Sequence, residues 1–171
     1  MANPSPRREF VITTHYFGFD RLTKALRASP HWLGEEITKG MRQSALAVQR
    51  ESAMLAPVDT GRLRASITTE IDSAVIPRWA NIGPSVKYGR FVEFGRRPGS
   101  RPPPSSALIP WMKRHGMPAS GAFALARAIA RRGIKPQPYM GKGYKAAGRA
   151  IDRIWERTMR AVEMRWGREN G

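Results

Sequence analysis

His15, His31 and His115 are the only histidines in the chain, and they stand too far apart to form a helical ligand pair. Two ligands at i and i+4 share a helix face and can hold one zinc ion; with no such pair, no metal site is expected. The absence of cysteine removes thiol nucleophiles, thiolate ligands and disulfides together. No Gly-x-Ser-x-Gly elbow offers a serine nucleophile. Asp59 and Glu93 are the carboxylates one would nominate for proton transfer. Asp59, however, sits where a helix cap is needed, and Glu93, between Val92 and Phe94, reads as a partner for an arginine such as Arg62 or Arg64. Ion pairs of that kind perturb a carboxylate without catalysis. The expectation is a protein that is not an enzyme and uses no cofactor.

Binding chemistry is better represented. Thirty Lys and Arg against thirteen Asp and Glu give a net charge of +17, which opposes self-association unless an acidic protein, nucleic acid or an anionic surface offsets it. Two groups of cations stand out: Arg96, Arg97 and Arg101 in a proline-rich stretch, and Arg149, Arg153, Arg157 and Arg160 at steps of four, four and three. The second group is a stripe on one helix face, either solvated or a contact row for an acidic ring of protein or for DNA phosphates. Asp152 and Glu156 lie on the same helix, with Glu156 and Arg160 at the i,i+4 spacing of an ion pair worth roughly 0.2–0.5 kcal/mol. Arg78-Trp79, Lys87-Tyr88 and Arg90-Phe91 alternate basic and aromatic residues, as single-strand binders do when bases stack in a basic groove. The plainer reading makes Trp79, Tyr88 and Phe91 core residues. No zinc-finger spacing, ribonucleoprotein aromatic box or basic-zipper heptad is present.

The elements that must position these residues follow from periodicity. Residues 1–17 read as an extended arm carrying a strand that pairs with a neighbouring subunit, and 19–28 as a short amphipathic helix. Ser29-Pro30 is a helix start, a cap followed by proline at the first helical position. From there to Ala56, Ile37, Met41, Ala45, Val48, Ser52 and Leu55 mark one face of a helix of about 26 residues and about 39 Å, with Glu35 and Glu36 near its positive end. Pro57 stops it, because proline disfavours helical geometry at Ala56 and has no N–H. Asp59 or Thr60 then caps a short helix through Arg62 and Leu63, with Gly61 supplying either backbone freedom or room. Ile67, Thr69 and Ile71 alternate with Thr68 and Glu70 as a half-buried strand, and 78–83 forms a second. Tyr88, Phe91 and Val92 have helical spacing, ending at Gly95. Residues 95–106, with four prolines, two glycines and three arginines, form a flexible loop without phosphate-loop spacing. Short helices cover 108–115 and 123–132, the latter with Ala124, Leu125, Ala128 and Ile129 as a packing face. The last helix spans about 143–166, with Ala147, Ile151, Ile154, Trp155, Val162 and Trp166 as its apolar stripe.

These signals make an α+β domain over 18–171, a small antiparallel sheet packed on a long N-terminal helix and a C-terminal helix, large enough to bury roughly 70% of its unfolded surface. No apolar run approaches the roughly 20 residues that span a bilayer. The N-terminal residues have no apolar stretch behind their arginines, so no secretory signal is expected and the product reads as soluble and intracellular.

The order Val58-Asp59-Thr60-Gly61-Arg62-Leu63, then Tyr88…Phe91-Val92-Glu93-Phe94-Gly95, then Pro136-Gln137-Pro138-Tyr139-Met140 before a long helix, resembles the tail-component, or tail-completion and neck, proteins of long-tailed phages. The resemblance covers about residues 18–165. It departs at Gly95-Arg96-Arg97, where the family carries Gly-Thr, and in the material between Arg97 and Ile134. It implies a structural virion protein at the head–tail junction, assembled in the bacterial cytoplasm. Six or twelve copies would form a ring against portal-side and tail-terminator neighbours, with contact to DNA in the lumen left open and no membrane partner. The competing reading is a free basic DNA- or RNA-binding accessory protein.

Overall fold

The computed structural model describes residues 12–13 and 31–170. The helix read over 19–28 and the Ser29-Pro30 start lie outside the described residues. The fold is α+β: β1 (Ile12–Thr13), α1 (His31–Leu55), α2 (Arg62–Ala65), β2 (Ile67–Ile71), β3 (Ala80–Pro84), α3 (Gly89–Phe94), α4 (Ser105–Arg114), a 3-10 turn (Ala119–Gly121), α5 (Ala122–Arg132) and α6 (Tyr139–Asn170). Where one domain is expected from residue 18 onward, the chain groups into two compact units, one of 1–89 with 139–171 and one of 90–138.

In the first unit α1 packs along α6 and covers the sheet, whose order is β1-β3-β2, all antiparallel. The pairing Ile67↔Pro84 through Ile71↔Ala80 fixes the register of β2 on β3. β1 pairs with β3 of its own chain, Ile12 opposite Ile82, so this part of the arm joins the parent sheet rather than a neighbour's. Gln49 of α1 donates from Nε2 to the Ile67 carbonyl at 2.8 Å and accepts from the Thr69 hydroxyl, tying helix to strand.

The buried stripe of α1 is Trp32, Leu33, Ile37, Met41, Ala45, Val48 and Ser52, with small residues Gly34, Gly40 and Ser44 between them. It begins one turn earlier than the apolar spacing predicts, because Trp32 and Leu33 pack with Ile37 against Ile76, Trp155 and Val162. Leu55, expected on this face, is 46% exposed; the buried end of the stripe is Ala56, whose N–H reaches the Ser52 carbonyl at 3.0 Å. Helix α6 begins at Tyr139, four residues ahead of the expected start, and buries Tyr139, Met140, Ala147, Ile154 and Thr158. The two helices approach unusually closely. A methyl group on Gly143 would lie 2.3 Å from Ser52 Oγ and 2.6 Å from Ser52 Cα, and one on Gly40 would lie 2.7 Å from Thr158 Oγ1.

The link between β2 and β3 is held by Asp72. Its N–H donates to the Trp79 carbonyl at 3.1 Å, and its carboxylate accepts from Arg78 N at 3.1 Å, Arg78 Nε at 3.2 Å and Ala74 N at 3.3 Å. Desolvation pushes the carboxyl upward, but the bonds from Arg78 and Ala74 and the Arg78 charge outweigh it and hold Asp72 below the ordinary carboxylate value.

The second unit runs from α3 through α4 to α5. Its core is small, with Met112 of α4 against Gly121 and with Ala122 and Ala126 buried on α5. Ala124, expected on the packing face of α5, is exposed; the buried spacing starts at Ala122, where the helix itself starts.

Two outcomes follow. Gly143→Ala should destabilise by about 1–3 kcal/mol, since its methyl meets Ser52 backbone that cannot step aside, whereas Gly148→Ala on the same helix, with nothing within 4 Å, should stabilise by about 1 kcal/mol; urea denaturation of both variants reads the contrast. Because the folded Asp72 value is depressed, its contribution is present above the unfolded value near about 4 and is lost as pH falls through the folded value. The melting-temperature gap between wild type and Asp72→Asn should therefore be constant above about pH 5 and close in stronger acid.

Candidate functional site

The turn that joins α1 to the sheet differs from its expected capping. The residue at the N-cap of α2 is Gly61, at φ 75°, not Asp59 or Thr60. Thr60 Oγ1 stands 3.5 Å from Arg62 N, too long for a strong cap. A left-handed backbone explains the glycine directly, because an added Cβ would meet nothing within 4 Å and the requirement is conformational rather than steric. Leu63 is the buried anchor of the turn, while Val58, Asp59, Thr60 and Arg62 are exposed and Pro57 is half-buried. Arg64 donates from Nη2 to the Met54 carbonyl at 3.4 Å, closing the turn onto the end of α1.

The second motif places Tyr88 before α3, 43% exposed rather than in the core, and carries Glu93 at 4% exposure on the helix. Phe91 is half-buried, with the guanidinium of Arg90 at 4.8 Å and that of Arg96 at 5.0 Å from its ring centroid. Those distances are cation–π contacts. Trp79 is half-buried beside β3.

The loop after α3, expected to be flexible, is tied down within its unit. Arg96 N donates to the Ile134 carbonyl at 2.9 Å and Ile134 N returns to the Arg96 carbonyl at 3.0 Å, a two-residue antiparallel bridge. Gly99 N donates to the Ala130 carbonyl at 2.7 Å and Gln137 N to the Val92 carbonyl at 2.8 Å. Arg96 Nη2 donates to the Arg101 carbonyl, and the Ser100 hydroxyl to the Arg97 carbonyl. Gly95 and Gly133 flank the bridge, and a Cβ would lie 2.3 Å from the Ile134 carbonyl oxygen at the first and 2.2 Å from that of Arg96 at the second. The bridge joins the end of the second motif to the start of the third, in which Pro136 and Pro138 are exposed and Tyr139 opens α6. Sequence reading had no means of pairing Arg96 with Ile134, since a two-residue bridge leaves no alternation to count.

On α6, Arg149, Arg153, Arg157 and Arg160 are all exposed. At about 100° per residue the row centres about 115° around the helix from Gly143, Ala147, Ile154 and Thr158, on a flank of the packed face. Arg153 Nε donates to the Arg149 carbonyl and Arg157 Nε to the Arg153 carbonyl, each at 3.2 Å. The Glu156–Arg160 pair does not form, and among the described residues none of the four arginines pairs with a carboxylate. An exposed pair of this kind contributes too little to hold two long side chains in one geometry. Arg153, Arg157 and Arg160 line, with Ala150, Ile154 and Glu156, a surface depression of about 400 Å³. Among the described residues no three His, Asp or Glu side chains come together as a metal site, and no helix is long and apolar enough to cross a membrane.

The proposed site residues therefore fall into separate groups. The Pro57–Leu63 turn and the α6 row belong to the first unit, and Glu93, Gly95, Arg96, Arg97, Arg101 and Pro138 to the second. Sequence reasoning missed Arg131, Arg132 and Lys135, which the bridge sets beside Arg96 and Arg97; the basic run before Gly133 was the available signal. Comparison with protein families, with curated proteins and with solved structures finds no match to this chain.

Gly133→Ala should break the bridge, since the added methyl collides with the Arg96 carbonyl and φ 71° strains any other residue. Limited trypsin digestion should cut after Arg96 several times faster in this variant than in wild type; equal rates would show that the loop is loose already.

Proposed function

We propose that this chain is a structural, non-catalytic subunit of the head–tail junction of a long-tailed phage, acting in tail completion. Copies form a ring about the tail axis in which the α6 arginines face an acidic neighbouring ring. The reading rests on the order of the Val-Asp-Thr-Gly-Arg-Leu, Tyr…Val-Glu-Phe-Gly and Pro-x-Pro-aromatic segments together with their placement at structural junctions. The single observation that carries the contact is the row Arg149, Arg153, Arg157 and Arg160, exposed and without carboxylate partners among the described residues. Like charges at i,i+4 spacing cost a few tenths of a kcal/mol each on a bare helix, roughly 0.2–0.5. An anionic protein surface removes that cost and gains charge-assisted hydrogen bonds from all four guanidinium groups. Assembly in this account is steric and electrostatic, so nothing in it calls for a nucleophile, a cofactor or a metal.

Replacing all four arginines by glutamine tests the contact. Folding should survive, because the buried stripe of α6 is untouched and exposed charges contribute little to stability. Heads and tails should accumulate unjoined, with only a modest change in affinity for bulk DNA. Normal joining by the quadruple variant would leave the row as a solvated face and defeat the proposal.

A further inference from the structure

The two units share the charge unequally. Residues 90–138 carry ten Lys and Arg against the single acid Glu93, a net of +9. The rest of the chain carries twenty against twelve, a net of +8 over a much longer stretch. Glu93 is buried, so the second unit shows no carboxylate at its surface, whereas nine of its ten cations are exposed and the tenth, Arg96, is half-buried. We infer that this unit is a nucleic-acid-binding module that grips the phosphate backbone of duplex DNA at the junction of the 96–101 loop with the end of α5.

The fold concentrates the cations at that junction. The Arg96–Ile134 bridge and the Gly99–Ala130 hydrogen bond draw the loop onto the C-terminal turn of α5. Arg96, Arg97 and Arg101 from one segment thereby meet Arg131, Arg132 and Lys135 from the other. Cations at a helix C-terminus are ordinarily favourable. A second basic segment laid beside them is not, and it stores repulsion that a polyanion releases. Arg96 is a positioning residue: its guanidinium lies over Phe91 and holds the Arg101 carbonyl, which leaves Arg97, Arg101, Arg131, Arg132 and Lys135 as the exposed contacts.

The mode is phosphate contact rather than base stacking. Of the unit's four Phe and Trp rings, Phe91 lies under Arg90 and Arg96, Phe123 has Arg127 at 5.8 Å from its centroid and Trp111 stacks on His115 at 4.3 Å; the fourth, Phe94, belongs to α3 rather than to the junction. The two segments that form the junction, 96–101 and 131–135, contain no aromatic residue, so the proposed contacts include no stacking platform of the kind single-strand binders present. Backbone contact carries no sequence readout, so the binding is independent of base sequence and steeply dependent on salt.

The test uses the full-length chain and a short fluorescent duplex DNA of arbitrary sequence. The variant Arg97→Gln, Arg101→Gln, Arg131→Gln, Arg132→Gln should bind at least about 100-fold more weakly at low salt, and its slope of log K against log salt should fall by roughly 0.9 per lost contact. Lysine at the same four positions should keep most of the affinity and slope. If the quadruple glutamine variant fails to fold, Arg97→Gln and Arg101→Gln singly carry the test, each lowering the slope by roughly 0.9. Wild-type affinity and slope in the glutamine variants would overturn the inference. So would poly-glutamate binding as tightly as DNA, which would make the surface a dock for acidic protein. The inference stands independently of the head–tail reading: the α6 glutamine variant should lose joining and keep DNA binding, and the second-unit variant is read by DNA binding alone.

Discussion

The close approach of α1 and α6 is the constraint on which the first unit depends. Helix axes can come this near only where side chains are absent or very small, and the residues at the contact are Gly143 against Ser52 and Gly40 against Thr158. Ser52 is fully buried there, and Thr158 turns its hydroxyl onto the Ile154 carbonyl at 2.9 Å, so neither leaves a bulky group between the helices. Once α6 is seated, its rotation is set. Ala147 and Ile154 face α1, and the arginines fall on a flank of α6 about 115° round from that contact, exposed along the edge of the packed face. The exposure of the basic row thus follows from the glycine contact on the neighbouring face of the same helix. Gln49 extends the arrangement to the sheet by binding the Ile67 carbonyl, which couples the register of β2 to the position of α1.

Much of this architecture was legible because it depends on periodicity. Ile37, Met41, Ala45 and Val48 mark a helix face at three- and four-residue steps, and Pro57 ends it within two residues of Leu55. The alternation from Ile67 to Ile71 marks a strand, and the helical spacing of Phe91 and Val92 marks α3. What periodicity could not show is where a backbone turns left-handed. The cap of α2 looked like a task for Asp59 or Thr60, yet the residue at the N-cap position is a glycine in the left-handed region. Nor could spacing show that Trp32 closes the core with Ile76, Trp155 and Val162, since those partners come from the β2–β3 link and from α6, both distant in sequence.

The basic groups were visible as composition but not as surfaces. The α6 row could be written down from steps of four, four and three. The junction in the second unit could not, because Arg96 and Ile134 are distant in sequence and meet through one small bridge. Its prolines and glycines read as looseness, whereas Gly95 and Gly133 are there to let two backbones touch. The chain of +17 presents its cations in two such places, one on a helix face and one at a loop–helix junction, and each is a concentration of charge that an anion would offset. On the proposed head–tail reading, a protein neighbour at the α6 row and a nucleic acid at the loop–helix junction would be complementary occupants.

The central claim concerns location, and electron microscopy of purified particles carrying a label on this chain tests it most directly. The account predicts label or extra density repeated around the tail axis, confined to the junction of head and tail. Complete, infectious particles from which the chain is absent would contradict it.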